Sequence, residues 1–161
     1  MTLSVGDRVP AATLFEPGEA GPEKLTTDAL FNGRKVVLVG MPGAFTPTCH
    51  RNHLPGFIEN HDAILAKGVD EIVVLSTNDT HVLRAWAEAS GGKGKVRFVS
   101  DGNADFITKT GLSFDGSGTG MGTRARRFAM IVDNGVVKAM AVEEKAGQTA
   151  VSTAAQILEK L

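Results

Sequence analysis

KVVLVG (Lys35–Gly40) followed at once by MPGAFTPTC (Met41 to Cys49) is the stretch that decides the fold. Val36, Val37, Leu38 and Val39 are apolar without alternation, and three of the four are β-branched. A strand with one wet face would alternate with period two, so this run predicts a strand buried on both faces, as in a parallel sheet covered by helices. Pro42, Gly43 and Pro47 then stop any regular ladder. Residues 49–67 place Leu54, Phe57, Ile58, Ala63, Ile64 and Leu65 at helical spacing, with Pro55 marking a kink or a late start. The sulfur of Cys49 is thus expected where a strand ends and a helix begins.

Reading outward, the same alternation of elements repeats. EIVVLS (Glu71–Ser76) is a second buried strand, followed by a helix over residues 81–89 that Asn78 or Asp79 can cap and Gly91, Gly92 and Gly94 end. Residues 96–100 form a third strand, and Asp101 turns the chain into a helix over 104–109. A glycine-rich loop spans 111–123. Residues 127–132 are a fourth strand, and Asp133-Asn134-Gly135 is a hairpin turn because Asn-Gly readily takes positive φ. Val136–Val142 pairs back antiparallel, and a helix over 149–161 closes the chain on Val151, Ala155, Ile157, Leu158 and Leu161. Residues 1–34, rich in Pro, Gly and Asp, read as irregular, with a short hairpin around 12–15. The order β-α-β-α-β-α-β-β-α predicts an α/β fold of thioredoxin-like type: a central mixed sheet flanked by helices, in one domain over residues 1–161.

Composition narrows the function classes. A chain of 161 residues can bury about 70% of the surface its unfolded form exposes, so its core needs no metal or disulfide staple. A formal net charge of −1 gives no electrostatic footprint for nucleic acid or an anionic membrane. No segment approaches the ~20 apolar residues of a membrane span. A single cysteine rules out an internal disulfide and suggests a reducing compartment. Together with the lack of a signal-like start, this gives the cytoplasm as the expected location.

In open α/β sheets, ligands bind beyond the carboxyl ends of the strands, where Cys49 falls. A helix start offers unpaired N–H groups and the positive end of the helix dipole, which favour the ionised and reactive sulfur. A lone cysteine is ordinarily inert packing. Here, however, it is preceded by a Thr-Pro-Thr turn and followed by His50, Arg51 and Asn52 rather than by core residues.

Pro42, Thr46 and Cys49 in PGAFTPTC match the signature P-x-x-x-T-x-x-C, so this segment resembles the peroxiredoxins. The wider MPGAFTPTCHRNHLPGF is similar to the type-II or type-five branch, and residues 126–143, RRFAMIVDNGVVKAMAVE, resemble that branch's arginine-bearing strand. The resemblance implies a thiol-dependent peroxidase acting on hydrogen peroxide and alkyl hydroperoxides. Cys49 attacks the peroxide and becomes a sulfenic acid. Thr46 orients sulfur and peroxide through its hydroxyl, and Pro42 shields the thiolate. Arg127 supplies the fixed positive charge, with Arg124 as runner-up, and the backbone N–H groups of Thr48 and Cys49 complete an anion pocket. Substrate contacts are thereby expected from Thr46, Thr48, Cys49 and Arg127. Outside a site, Thr46 is simply a turn hydroxyl and Pro42 loop punctuation.

Family members often carry a second, resolving cysteine. Here Thr149 and Ser152 occupy the region where some type-five members place it. A one-cysteine cycle is therefore expected, recycled by an external thiol: glutathione, glutaredoxin or thioredoxin. The resemblance also implies a homodimer, with Phe45 and the 111–123 loop as contacts. No cofactor is expected, and the scattered histidines make no metal set.

Two other functions compete. His53 lies four residues after Cys49 and could form a nucleophile–base pair for a thiol hydrolase or transferase. That reading predicts acylation of Cys49 by esters, and loss of activity in His53→Ala that a peroxidase would not show. A redox sensor or holdase predicts fast oxidation without turnover. His50, His61 and His81 read as surface groups.

Overall fold

The computed structural model describes residues 2–161. Seven strands, β1 (Thr13–Gly18), β2 (Gly21–Thr26), β3 (Lys35–Gly40), β4 (Glu71–Ser76), β5 (Arg97–Ser100), β8 (Phe128–Asp133) and β9 (Val136–Val142), form one mixed sheet in the order β2-β1-β5-β4-β3-β8-β9, and β6 (Ser113–Asp115) and β7 (Thr123–Ala125) form a separate ribbon. The central strands are those that the apolar runs predict: β3 (Lys35–Gly40) and β4 (Glu71–Ser76) pair in parallel, as do β4 and β5 (Arg97–Ser100). β8 (Phe128–Asp133) lies antiparallel to β3 and is joined to β9 (Val136–Val142) by a tight turn with Asn134 at φ 49° and Gly135 at φ 81°.

Successive residues of the central strands feed two apolar layers. Val36, Leu38, Val73 and Leu75 pack with α1 (Thr27–Phe31) and α5 (Asp105–Thr110). Val37, Val39, Ile72 and Val74 pack with α2 (Leu54–Glu59), α3 (His61–Leu65), α4 (Thr80–Ser90) and α6 (Ala154–Lys160). Unbroken apolar runs are what a sheet covered on both faces requires. α4 is capped by Asp79, whose side chain accepts from Val82 N, and ends at Gly91 with φ 76°. The Asp101 carboxylate likewise accepts from the N–H groups of Phe106 and Ile107 at the start of α5.

Five expectations are corrected. Residues 1–34 are not irregular: β1 (Thr13–Gly18) and β2 (Gly21–Thr26) form a full hairpin that is one edge of the main sheet. Pro17 faces Pro22 in it, and proline is tolerated at an edge because a missing N–H there breaks no interior ladder. The expected helix over 49–67 is three pieces. It opens as a π-helical turn over Thr48–His53, in which the N–H of Leu54 reaches back five residues to the Cys49 carbonyl. Pro55 brings no N–H to the ladder at this point, and α2 begins there. Asn60 then separates α2 from α3.

The 111–123 loop contains a ribbon, β6 (Ser113–Asp115) on β7 (Thr123–Ala125). β8 starts at Phe128, which leaves Arg127 just outside it. Finally, α6 starts at Ala154 rather than at 149, so residues 144–152 run as an irregular strap from the end of β9 to the capping box of Thr153 and Gln156.

Candidate active site

The loop leaving β3 is fixed from several directions before it reaches the sulfur. The Met41 N–H donates to the Leu75 carbonyl, and the Ala44 N–H to Asn78 Oδ1 at 2.8 Å. Phe45 takes φ 63°, a left-handed conformation that is rare for a non-glycine residue, and remains 48% exposed. The chain then winds into the π-helical turn, and Cys49 is its second residue.

Cys49 is fully buried. Its sulfur lies in the apolar layer with Met41 and Leu54, but one polar group reaches it: Arg127 Nη2 donates to Sγ at 3.1 Å. Arg127 is itself buried and enters from the residue before β8. Its Nε and Nη2 donate to the Ala146 carbonyl at 3.0 and 2.9 Å, and Nη1 meets His53 Nδ1 at 3.0 Å. Of the three crowded arginines, then, Arg127 holds the sulfur. Arg124 instead ties the ribbon turn to the loop, donating to the carbonyls of Met121 at 2.8 Å and Pro42 at 3.2 Å.

His53 does not pair with Cys49. A guanidinium only donates, so Nδ1 must accept and the ring proton sits on Nε2. That proton points to the Ser152 carbonyl at 2.8 Å and the Ser152 hydroxyl at 3.2 Å. Burial drives His53 down to about 4. Arg127 adds to that fall, while the Ser152 carbonyl and Glu143 oppose it, so the ring is neutral at physiological pH. Both ring nitrogens are committed, and the nucleophile–base pair of the competing hydrolase reading is absent. His53→Ala also ceases to separate the two chemistries, because it would free Arg127 in either.

Behind His53 stands a residue that the sequence reading missed. The Ser152 hydroxyl donates to Glu143 Oε2 at 2.6 Å, and the same carboxylate accepts from the N–H groups of Ala150, Val151 and Ser152. Burial alone would raise the Glu143 carboxyl, but the Ser152 hydroxyl and these three N–H groups outweigh it and keep it below the ordinary carboxylate value. The available signal was the position of this acid, directly after the apolar strand VVKAMAV, where a surface acid needs no explanation.

Other candidates sit as follows. The Thr46 hydroxyl donates to the Gly43 carbonyl at 2.6 Å rather than to the sulfur. Pro42, Thr46, Thr48 and Arg127 line a cavity of about 360 Å³ together with Phe114 of β6 and Met121 of the β6–β7 turn, whereas Cys49, expected as a substrate contact, is buried behind this lining rather than part of it. Thr48 begins the π-helical turn. His50 is not a free surface group. Its Nδ1 accepts from the Trp86 indole at 2.9 Å, and its ring lies 5.6 Å from that of Phe45. His61 is partly covered beside Asp62, and His81 is exposed.

Comparison with known proteins agrees with this geometry. The family model described as Redoxin matches residues 4–158. Peroxiredoxin-2E-2, chloroplastic, of Oryza sativa subsp. japonica is 45% identical over 99% of this chain and 73% of its own length. Peroxiredoxin-2C of the same plant is 42% identical over 99% of this chain and 98% of its own. The crystal structure of reduced Prx3 from Vibrio vulnificus in complex with H2O2 superposes with a TM-score of 0.93 at 42% identity, covering 98% of each chain. With its sheet, its buried cysteine and its matching relatives in agreement, this chain belongs to the redoxin family, among the peroxiredoxins.

Proposed function

We propose that this thiol peroxidase works through Cys49 in a cycle whose chemistry is set by Arg127 and whose reductant is an external thiol. The observation that carries the reading is the 3.1 Å contact between the Arg127 guanidinium and the only sulfhydryl, beside a cavity large enough for a small hydroperoxide. The guanidinium sets a fixed positive charge against the attacking sulfur, where it meets the negative charge that the reaction carries from sulfur to peroxide.

A peroxide enters past Thr46 and Thr48. The thiolate attacks the nearer oxygen, the O–O bond breaks, and two electrons pass from sulfur to peroxide. The leaving oxygen takes a proton and departs as water or an alcohol, and Cys49 becomes a sulfenic acid. Of the five N–H donors of the guanidinium, four serve Cys49, His53 and Ala146, which leaves one for the developing charge on the peroxide oxygens. Thr46 spends its proton on Gly43, so its lone pairs are free to accept from the peroxide O–H. Pro42 covers the site without adding a donor.

With one cysteine in the chain, the sulfenic acid is released by a second molecule. A thiol condenses with it to a mixed disulfide and water, and another thiol releases Cys49 and forms the external disulfide. Glutathione with glutaredoxin, or thioredoxin, fits this scheme, as does a reducing compartment such as the cytoplasm. A homodimer through the Phe45 face is supported by that ring's exposure beside His50 and Trp86.

Steady-state peroxide consumption with each thiol system tests the reading. Cys49→Ser should abolish turnover while leaving the fold intact, and one of the reductants should sustain many cycles. Turnover surviving in Cys49→Ser overturns the proposal. Rapid oxidation with no turnover on any thiol replaces it with the sensor reading, and acylation of Cys49 by esters with the hydrolase reading.

A further inference from the structure

We propose that Glu143 is a positioning residue for peroxide reduction: by closing the strap of residues 144–152 it fixes Arg127 on the Cys49 sulfur. The inference rests on the peroxidase reading above and adds to it a residue more than 90 positions away in sequence from the nucleophile.

Two separate routes run from the strap to the guanidinium. Near its start, the Ala146 carbonyl takes both Nε and Nη2 of Arg127. At its end, the Ser152 carbonyl and hydroxyl take the Nε2 proton of His53, whose Nδ1 takes Nη1. Arg127 is thus oriented from two sides by a single segment. A guanidinium gripped on two edges loses its rotational freedom, and Nη2 is left aimed at Sγ.

Besides its bonds to Arg127, His53 and Glu143, the strap is held by the Thr48 hydroxyl, which donates to the Gly147 carbonyl at 3.5 Å, and by the Gln156 amide, which donates to the Ala150 carbonyl. Residues 144–148, 150 and 151 are exposed, and Thr149 is half-buried, so no apolar anchor lies between its ends. What closes it is the Glu143 carboxylate. Oε1 accepts from Ala150 N at 2.9 Å, and Oε2 accepts from Val151 N and Ser152 N at 2.8 Å each and from the Ser152 hydroxyl at 2.6 Å. The Glu143 N–H also donates to the Arg127 carbonyl at 2.9 Å, which places the acid across from the arginine at the mouth of the β8–β9 pair. The carboxylate is buried and met by main-chain donors and a hydroxyl. A charge buried in this way is a poor device for stability alone, since well-packed apolar groups generally do as well. It is a good device for holding three successive N–H groups in one geometry.

The test is a double-mutant cycle read by stopped-flow oxidation of the reduced protein with hydrogen peroxide. Glu143→Gln keeps the size of the side chain but turns an amide donor toward backbone donors, and Ser152→Ala removes one hydroxyl. Each is made with Arg127 present and in an Arg127→Gln background, and each is assayed below its own melting transition. If Glu143→Gln does not fold, Ser152→Ala carries the test. With Arg127 present, Glu143→Gln should lower the rate constant by about 10-fold or more and Ser152→Ala by a smaller factor. In the Arg127→Gln background both should fall within about 2-fold of their parent, because the group they position is gone. Equal losses in the two backgrounds, or rates within about 2-fold of the parent when Arg127 is present, overturn the proposal. If the unmutated protein reacts no faster than free cysteine, it is the peroxidase reading that fails instead.

Discussion

At the scale of the residue, the site is a contrast between an apolar layer and one intruding cation. Cys49 is as buried as the valines around it, and burial of that kind ordinarily makes a cysteine inert. Arg127 Nη2 at 3.1 Å reverses the expectation. A lysine at 127 would keep the charge but could not serve Sγ, His53 and Ala146 at once, since that takes a planar fork. Arg127→Lys should therefore lower the rate of sulfenic acid formation on the order of 100-fold without unfolding the protein, as followed by peroxide consumption and circular dichroism. The sulfur, threonine and proline of this site were legible in PGAFTPTC because they are local in sequence. Choosing Arg127 over Arg124 needed the family likeness, and Glu143 was illegible: its partners lie in a strap that no periodicity announces.

The elements show where sequence patterning succeeds and where it stops. β3, β4 and β8 were readable because strands buried on both faces carry unbroken apolar runs. The β1–β2 hairpin was not, because Pro17 and Pro22 read as loop when in fact they face each other across an edge ribbon. The single helix expected over 49–67 broke into a π-helical turn and two short helices, and Pro55 was its one visible sign. The registry of β3 on β8 is set by steric fit as well as by hydrogen bonds. Gly40 faces Phe128, and a Cβ on it would lie 2.0 Å from that ring. Gly40→Ala should cost about 2–3 kcal/mol in urea unfolding, the upper range for overpacking a core. A loss below about 0.5 kcal/mol would mean that the ring moves aside freely, contrary to this packing.

Across the whole molecule, the buried chain from Glu143 to Cys49 gives acid a specific point of attack. His53 is held near 4 in the fold and returns to 6.5 when unfolded. Between these values the unfolded chain binds a proton that the folded one does not, so this residue's contribution is full above pH 6.5 and is lost as pH falls toward 4. Asp101 has the opposite sign. Burial raises it to about 6 from 3.8, the N–H groups of Ile107, Phe106 and Asp105 oppose that rise, and its contribution is lost as pH climbs through 6. The two partly cancel in the intact protein, so the contribution of His53 is seen by difference. In His53→Gln, the stability lost between pH 6.5 and 4.5 should be smaller than in the parent by about 2 kcal/mol. An equal loss in both would show that His53 already titrates normally in the fold. The sequence could not show this, because a histidine four residues after Cys49 is open to several roles until the fold brings Ser152 and Arg127 to its two nitrogens.

The most direct measurement of the central claim is the second-order rate constant for hydrogen peroxide reacting with the fully reduced protein, followed in a stopped-flow instrument. Arg127 bound to a desolvated sulfur predicts a rate constant on the order of 1,000-fold or more above that of a free cysteine thiolate, with most of the advantage gone in Arg127→Gln. A rate constant equal to that of free cysteine thiolate, or one unchanged in Arg127→Gln, would contradict the account.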